Sequence, residues 1–429
     1  MAEDVGGVRS FSNWKKLTSA AFEQGSISAM NFGSIAVLGV LLAPEEFSTY
    51  VVLMALLTVS YLINLTLWGV PALVFSQTTY VKNQSVYARR LLFNAVFSSL
   101  IGTLLVSGLF SFLPIEMSPL AWWWAVLACV AWTTYEVSRR ICFSMGHLSL
   151  LVRSSFVILF FYGTLISAAA TFATLSLESA LAIWFISFFV GSLITARSIL
   201  SCYRPSSRDF SLSPHLIFGA HWRYAKWQLL GALAFWFSSS GFIFLASYQL
   251  DAEEIAALRL AQNLLGLSSL LLLMFENVLT PRGAVVYQNS GVSGVLGFVR
   301  DLYKTHISLY LFGLLGVFFI SFFIYRYFYA ATYDVSPVLL LYFLFFYILM
   351  GILFPLLTAL RILSKTKYFW YAHAGSAVFM ITGGLLMVRH FGVLGGGVAF
   401  LGSALVFSTI ILTVFWFDIG FGSQKYHSA

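Results

Sequence analysis

The chain has 429 residues, of which 60% are hydrophobic and only 9% charged, with a mean hydropathy of +0.88. A water-soluble domain would carry roughly 25% charged residues, so that class is excluded, and an aromatic share of 18% suits side chains gathered at membrane interfaces. The formal net charge of +8 invites a nucleic-acid reading, but the positions of the charges decide against one.

A bilayer core of about 30 Å needs about 20 mostly apolar residues per helix. Runs of that kind predict an all-α polytopic membrane protein with twelve spans: 21–43, 48–70, 91–113, 120–138, 154–174, 179–200, 224–247, 255–280, 305–324, 337–360, 370–388 and 393–417. The leading "MAEDVGGVRSFSNWKKLTSA" is polar and lacks a short apolar stretch with a small-residue cleavage site. The first span is therefore expected to act as its own insertion signal. It opens on Glu23 and Gln24 and continues through Ser26, Asn31 and Ser34. The second follows the short acidic turn "APEEF", carries Asn64 and ends near Pro71. The fourth opens on Trp122, Trp123 and Trp124, an aromatic anchor, and ends on Glu136, Arg139 and Arg140, an expected interfacial ion pair.

The longest connection, "SCYRPSSRDFSLSPHLIFGAHWRYAKW" (201–227), has the Pro, Ser and basic residues of a linker lying along the inner surface. Residues 1–200 are thus expected to form one six-helix lobe, 201–223 a linker and 224–429 a second lobe. The seventh span holds Ser238, Ser239 and Ser240 as weaker cavity candidates. The eighth, "AALRLAQNLLGLSSLLLLMFENVL" (256–279), places a guanidinium inside an apolar run. A charge at the centre of a span costs roughly 2.5–3.5 kcal/mol on insertion scales, so it normally faces a cavity or a partner. At about 100° per residue, Arg259, Asn263, Gly266, Leu270 and Asn277 share one stripe, as on a helix lining a hydrated path. The alternatives are snorkelling to the outer headgroups and pairing with Glu253 or Glu254. Glu276 and Asn277 close this span, and Gly395, Gly396 and Gly397 in the last one suit close helix packing or a bend.

With the N-terminus cytoplasmic, the inner loops and tails collect every basic residue of the 24 except Arg259, Arg326 and Arg389. The outer loops collect Glu45, Glu46, Glu116, Glu178, Asp251, Glu253, Glu254 and Asp334. This is the positive-inside pattern in nearly every loop, and it explains the net charge by contact with an anionic cytoplasmic leaflet rather than nucleic acid. Both termini are then cytoplasmic. The cysteines Cys129, Cys142 and Cys202, and the scattered His147, His215, His221, His306 and His373, have no ligand spacing, so no metal site is predicted. The outer loops are short and lack an acid–base group with supporting residues, so no catalytic residue is proposed and a membrane polymerase or ligase is disfavoured.

The chain repeats itself. Two glutamates in a short outer turn precede a long helix ending near Pro71, and two more precede one ending near Pro281, at nearly the same spacing. Six spans separate the copies, which implies parallel repeats about an axis along the membrane normal, a known transporter plan.

On these motifs the chain resembles a family. The turn with "EEFSTY" and a Pro-ended second helix are similar to the start of polysaccharide exporters in the MATE-like (MOP) flippase superfamily. The stretch "HWRYAKWQLLGALAFW…LDAEEIAALRLAQNLLGLSSLLLLMFENVLTPRGA" (221–284) resembles Wzx-type flippases of lipid-linked oligosaccharides, whose eighth helix opens with Ala-Ala-Leu-Arg-x-Ala and ends near Pro-x-x-Ala. "GVLGGGVAF" (392–400) fits the same family. The chain departs from the lipid II flippase branch in having room for twelve spans rather than fourteen. It departs from drug-exporting relatives in lacking an aspartate midway along the first helix.

The resemblance implies two six-helix lobes around a central cavity flanked by helices 1, 2, 7 and 8. It implies alternating access that carries a polyprenyl-diphosphate-linked oligosaccharide across a bacterial cytoplasmic (inner) membrane for O-antigen or other surface polysaccharide. Arg259 would hold the diphosphate by bidentate hydrogen bonds, which lysine could not copy, with Asn263, Asn31, Asn64 and Asn277 lining the cavity. Glu23 and Glu276 would bind a proton or Na⁺ for coupling, against the plainer reading of carboxylates paired with Lys16 or Arg282. No cofactor is implied. The expected partners are the lipid-linked oligosaccharide, membrane lipids and the polysaccharide polymerase machinery, and no nucleic acid. An ion-coupled drug or small-solute antiporter is the alternative.

Overall fold

The computed structural model describes residues 10–76, 79–80, 83–108, 117–172, 175–201, 213–329, 336–363, 365 and 367–420, without the side chains of 10–21, 74, 273–274, 276–278, 280–282, 284–285, 288 and 419–420. All regular structure among the described residues is helical. Helix α1 is Ser10–Leu41. Helix α2 starts as Pro44–Asn64, passes through a π-helical turn at Leu65–Gly69 and ends as Val70–Phe75. Then come α3 (Gln84–Ser107), α4 (Pro119–Ser144), α5 (Leu148–Phe172) and α6 (Leu177–Ser201). Helix α7 is Pro214–Phe237 followed, after a bend of 43°, by Ser240–Ala246.

Helix α8 starts as Ala252–Gly266 and runs to residue 290. At Gly291 the backbone turns (φ 61°, ψ −153°), and α9 continues from residue 292 to Ile324. Helix α10 is Val338–Ile362. Helix α11 starts as Lys367–Phe379, passes a π-helical turn at Met380–Gly384 and reaches Gly392 (φ 56°, ψ −140°), where α12 begins and runs to Val414. Both break points need positive φ, which an L side chain adopts only at a cost, and both are glycine. The expected twelve helices are thus present among the described residues. Among the described residues nine stretches are long and apolar enough to cross a membrane, or ten with the bent α7, and Lys367–Asp418 is counted there once although it holds both α11 and α12. Helix α4, which carries Glu136, Arg139 and Arg140, is not among them.

Two compact units form. The first comprises Met1–Ser34 and Val59–Leu229, and the second Ile35–Thr58 and Leu230–Ala429. In the first, Trp68, Tyr87, Leu91, Val137, Ile141 and Leu151 build a core shared by α2 to α5. With no water inside a bilayer, buried hydroxyls must find partners within the protein. Ser192 donates to the Ala131 carbonyl (3.0 Å), and Ser138 meets Thr195 (2.9 Å), which ties α4 to α6. In the second unit, Leu353, Ala359, Leu360, Phe407 and Ile411 form the corresponding core. Trp236 donates to the Ala55 carbonyl (2.8 Å) and Tyr329 to the Ala36 carbonyl (2.5 Å). The exposed surface carries Phe97, Leu105, Phe172 and Phe312, as a lipid-facing wall should.

The acidic turn before α8 has a structural task. Asp251 caps α8 by accepting from the Glu254 amide (2.9 Å), and Glu254 reaches back to the Asp251 amide (3.3 Å). The same carboxylate accepts from the Val393 amide (3.0 Å), so it also caps the start of α12. Gly396 packs on Leu258, and Gly397 packs on Leu339 and Tyr342. The expected close packing of the glycine run is present, and the bend lies ahead of it at Gly392.

Candidate functional site

Among the described residues of the first unit, the buried glutamate and arginine side chains lie on α1 and α4. Arg139 donates to both carboxylate oxygens of Glu23 (2.5 and 3.3 Å), to Glu136 (2.9 Å) and to the Gln24 side chain (2.7 Å). Glu23, Glu136 and Arg139 are all buried. The expected interfacial pair within α4 is therefore part of a buried cluster that reaches α1, and the partner of Glu23 is Arg139. Helical spacing explains half of this: Glu136 and Arg139 are three apart and share a face. The other half is tertiary, because 116 residues separate Glu23 from Arg139.

Asn64 is also buried in this unit. Its amide donates to the Ser60 carbonyl (2.9 Å), its side-chain oxygen accepts from Ser98, and Ser98 in turn accepts from the Trp68 indole (2.8 Å). This network joins α2 to α3. Asn31 is half-buried on α1, and its side-chain oxygen is buried with no hydrogen-bond partner among the described residues.

In the second unit, Arg259 is half-buried one to two turns into α8. It donates to the Gln262 side chain (2.8 Å), and Tyr50 and Tyr347 are among its neighbours. Among the described residues no carboxylate forms an ion pair with it. Glu254 is turned instead toward Val393. Asn263 is half-buried on the same helix, with interactions of its own. Glu276 and Asn277 lie on α8, but their side chains are outside the described residues.

Gln262 and Tyr347 open onto a cavity of about 580 Å³ within the second unit. Its apolar wall includes Phe235, Phe343, Phe346, Phe354 and Phe407, and its polar groups include Ser239, Ser376, Ser403, His373 and Arg361. Ser238 and Ser239, weak candidates by sequence, line it as well. Its size falls within the roughly 300–1,000 Å³ of small-molecule sites. Sequence reasoning missed Arg361 and His373. Arg361 was absorbed in the inner-loop charge pattern, and His373 is a lone histidine between helices that meet only on folding.

The predicted residues therefore fall into two groups. Glu23, Asn31 and Asn64 belong to the first unit; Arg259 and Asn263 belong to the second. No protein-family model matches the chain, and no curated protein is similar enough to match. Solved structures do match in fold. An inward-facing multidrug resistance MATE family transporter of the MOP superfamily superposes with a TM-score of 0.72 at 13% identity, covering 96% of this chain and 100% of the other. A mutant of a Vibrio cholerae MATE transporter gives 0.64 at 14% identity, covering 97% and 96%. An outward-facing multidrug resistance MATE family transporter gives 0.65 at 13%, covering 93% of each chain. The MATE-like helical fold spans nearly the whole chain, and the protein is a multi-pass membrane protein.

Proposed function

We propose that the protein is a flippase that moves a polyprenyl-diphosphate-linked oligosaccharide across a bacterial cytoplasmic membrane by alternating access, for surface polysaccharide assembly. The fold supports transport, because the solved proteins that share it are transporters. The cargo rests on one observation, the Arg259 guanidinium inside α8 with neutral partners only among the described residues. Such a group repels a cationic passenger and gains most from an anionic one. A diphosphate matches its fork of donors. Asn263 lies one turn further along and would meet the same headgroup. The oligosaccharide would be passed on to polymerase machinery on the outer face.

Coupling to a proton or Na⁺ would run through Glu23 or Glu276. For Glu23, uptake of either cation has to compete with Arg139. That competition suits a coupling step which opens the buried cluster only in part of the cycle.

The test uses liposomes that contain the purified protein and a fluorescent polyprenyl-diphosphate oligosaccharide. Wild type should move the lipid between leaflets, and Arg259→Lys and Arg259→Ala should both lose at least 10-fold in rate while folding normally. Intact movement in both variants would remove Arg259 from the mechanism. No movement by wild type under imposed proton and Na⁺ gradients would favour an ion-coupled drug antiporter. The multidrug transporters that share the fold and the aromatic walls of the second-unit cavity support that second reading.

A further inference from the structure

The cavity of the second unit follows one face of α10. Phe343, Phe346, Met350, Phe354, Leu357 and Arg361 all line it, and their spacing of three and four residues is that of a single helical stripe. At about 1.5 Å per residue this face is about 27 Å long. Its composition is polarised. From Phe343 to Leu357 the stripe is apolar, and it ends on a guanidinium in the last turn of the helix. Phe369 and His373 of α11 stand beside that end. The Arg361 guanidinium lies 5.1 Å from the Phe369 ring centroid, and the His373 ring is in contact with Phe235 and Phe407. Tyr347 and Gln262, the neighbours of Arg259, line the same cavity well away from Arg361, because Tyr347 is about 21 Å from it along α10.

An elongated aromatic trough with a cation at one end fits an amphipathic anion whose charge is terminal. We propose that this cavity is a second cargo subsite, in which the first isoprenoid units of a polyprenyl phosphate lie along α10 with the phosphate group on Arg361. This inference rests on the proposed cargo and deepens it. The chain next to the phosphate is held by protein rather than left wholly in lipid, and Arg361 and Arg259 are two phosphate stations served by one cavity. Flat aromatic walls accept branched isoprenoid units by dispersion contact, and Arg361 selects the phosphate by charge-assisted hydrogen bonds. A neutral prenol would fill the trough without using Arg361. Inorganic pyrophosphate would use Arg361 without filling the trough.

The test is binding to the full-length protein in nanodiscs, with geranylgeranyl diphosphate carrying a photoreactive group on its last isoprene unit. Wild type should bind it, and crosslinks should fall on α10 between 343 and 357 or on α12 between 400 and 407. Arg361→Gln should weaken binding at least 10-fold and leave geranylgeraniol unaffected, and Arg361→Lys should restore part of the loss. Ala404→Trp, which intrudes on the trough, should weaken both ligands at least 10-fold. The wild-type crosslinks keep the test decisive if that variant folds poorly. Crosslinks elsewhere, wild-type binding by Arg361→Gln, or equal competition by phosphatidic acid would each overturn the subsite, the last by making it a general anionic-lipid site. The two readings fail separately. Liposome transport that survives in Arg361→Gln and Ala404→Trp sinks the subsite and keeps the flippase. Prenyl diphosphate binding with no transport by wild type sinks the flippase and keeps the subsite.

Discussion

Arg139 shows how a single residue is fixed by its surroundings. Its guanidinium makes four donations to three side chains and is buried, and breaking a buried pair by removing one partner costs about 3–5 kcal/mol because the other charge is left behind. Arg139→Met is therefore expected to destabilise the protein by about 3–5 kcal/mol, seen as a large drop in unfolding temperature in detergent. Glu23→Gln, which keeps hydrogen-bonding capacity, should cost clearly less. An equal loss in the two variants would show that the charge of Glu23 matters as much as the guanidinium itself. The sequence displayed the pair within α4 through its helical spacing and hid the contact to α1. Glu254 carries a second lesson. The sequence placed it in an acidic outer turn, and only the fold shows its part in a capping box and its bond to the Val393 amide. Glu254→Ala removes caps from two helices, so a loss of about 1–3 kcal/mol is expected, against about 1 for a single cap. Thermal unfolding compared with Asp251→Ala, which affects α8 alone, would separate the two contributions.

At the scale of elements, the irregular turns matter more than the regular spans. The π-helical turn Leu65–Gly69 interrupts α2 beside the buried His221 of α7. The Nδ1 of His221 faces the Leu67 carbonyl at 2.7 Å, and its Nε2 faces the Tyr87 hydroxyl at 2.7 Å. A carbonyl only accepts, so Nδ1 carries a proton, and Nε2 is paired with the Tyr87 hydroxyl. One imidazole thus ties α2, α3 and α7 together inside the first unit. His221→Phe fills the space but leaves the Leu67 carbonyl and the Tyr87 hydroxyl without it. A cost of about 1–3 kcal/mol per stranded group is expected, with faster hydrogen exchange of α2 amides around residues 65–69. Unchanged exchange there would mean that the π turn holds without His221. Gly392 follows the same logic at the head of α12. Its positive φ and the Glu254 carboxylate against it leave no room for a side chain, so Gly392→Ala should destabilise by more than the roughly 1–2 kcal/mol of the backbone conformation alone.

For the whole molecule, orientation is the property that charge placement predicts and a fold match leaves open. Cysteines placed at Ser118 and Ser176 should react with a membrane-impermeant maleimide in intact cells, and those at His147 and Lys365 only after permeabilisation. The native Cys129 and Cys142 are buried and should stay silent, and Cys202 would first be replaced by serine. The reverse pattern would invert the topology and put the proposed cargo on the wrong side of Arg361.

The sequence by itself determined the class, the number of helices and most of their limits, because a bilayer demands long apolar runs and leaves backbone groups no partner except the helix itself. It also exposed Arg259, since a charge inside such a run stands out against its neighbours. Tertiary structure alone decided who meets whom. It gave Glu23 to Arg139 and Asn64 to Ser98, and it gathered Gln262, Tyr347, Arg361 and His373 around one cavity from three different helices. Contacts of that kind depend on which faces of distant helices pack together. In a chain whose helices are apolar nearly all the way round, hydrophobic periodicity does not mark those faces.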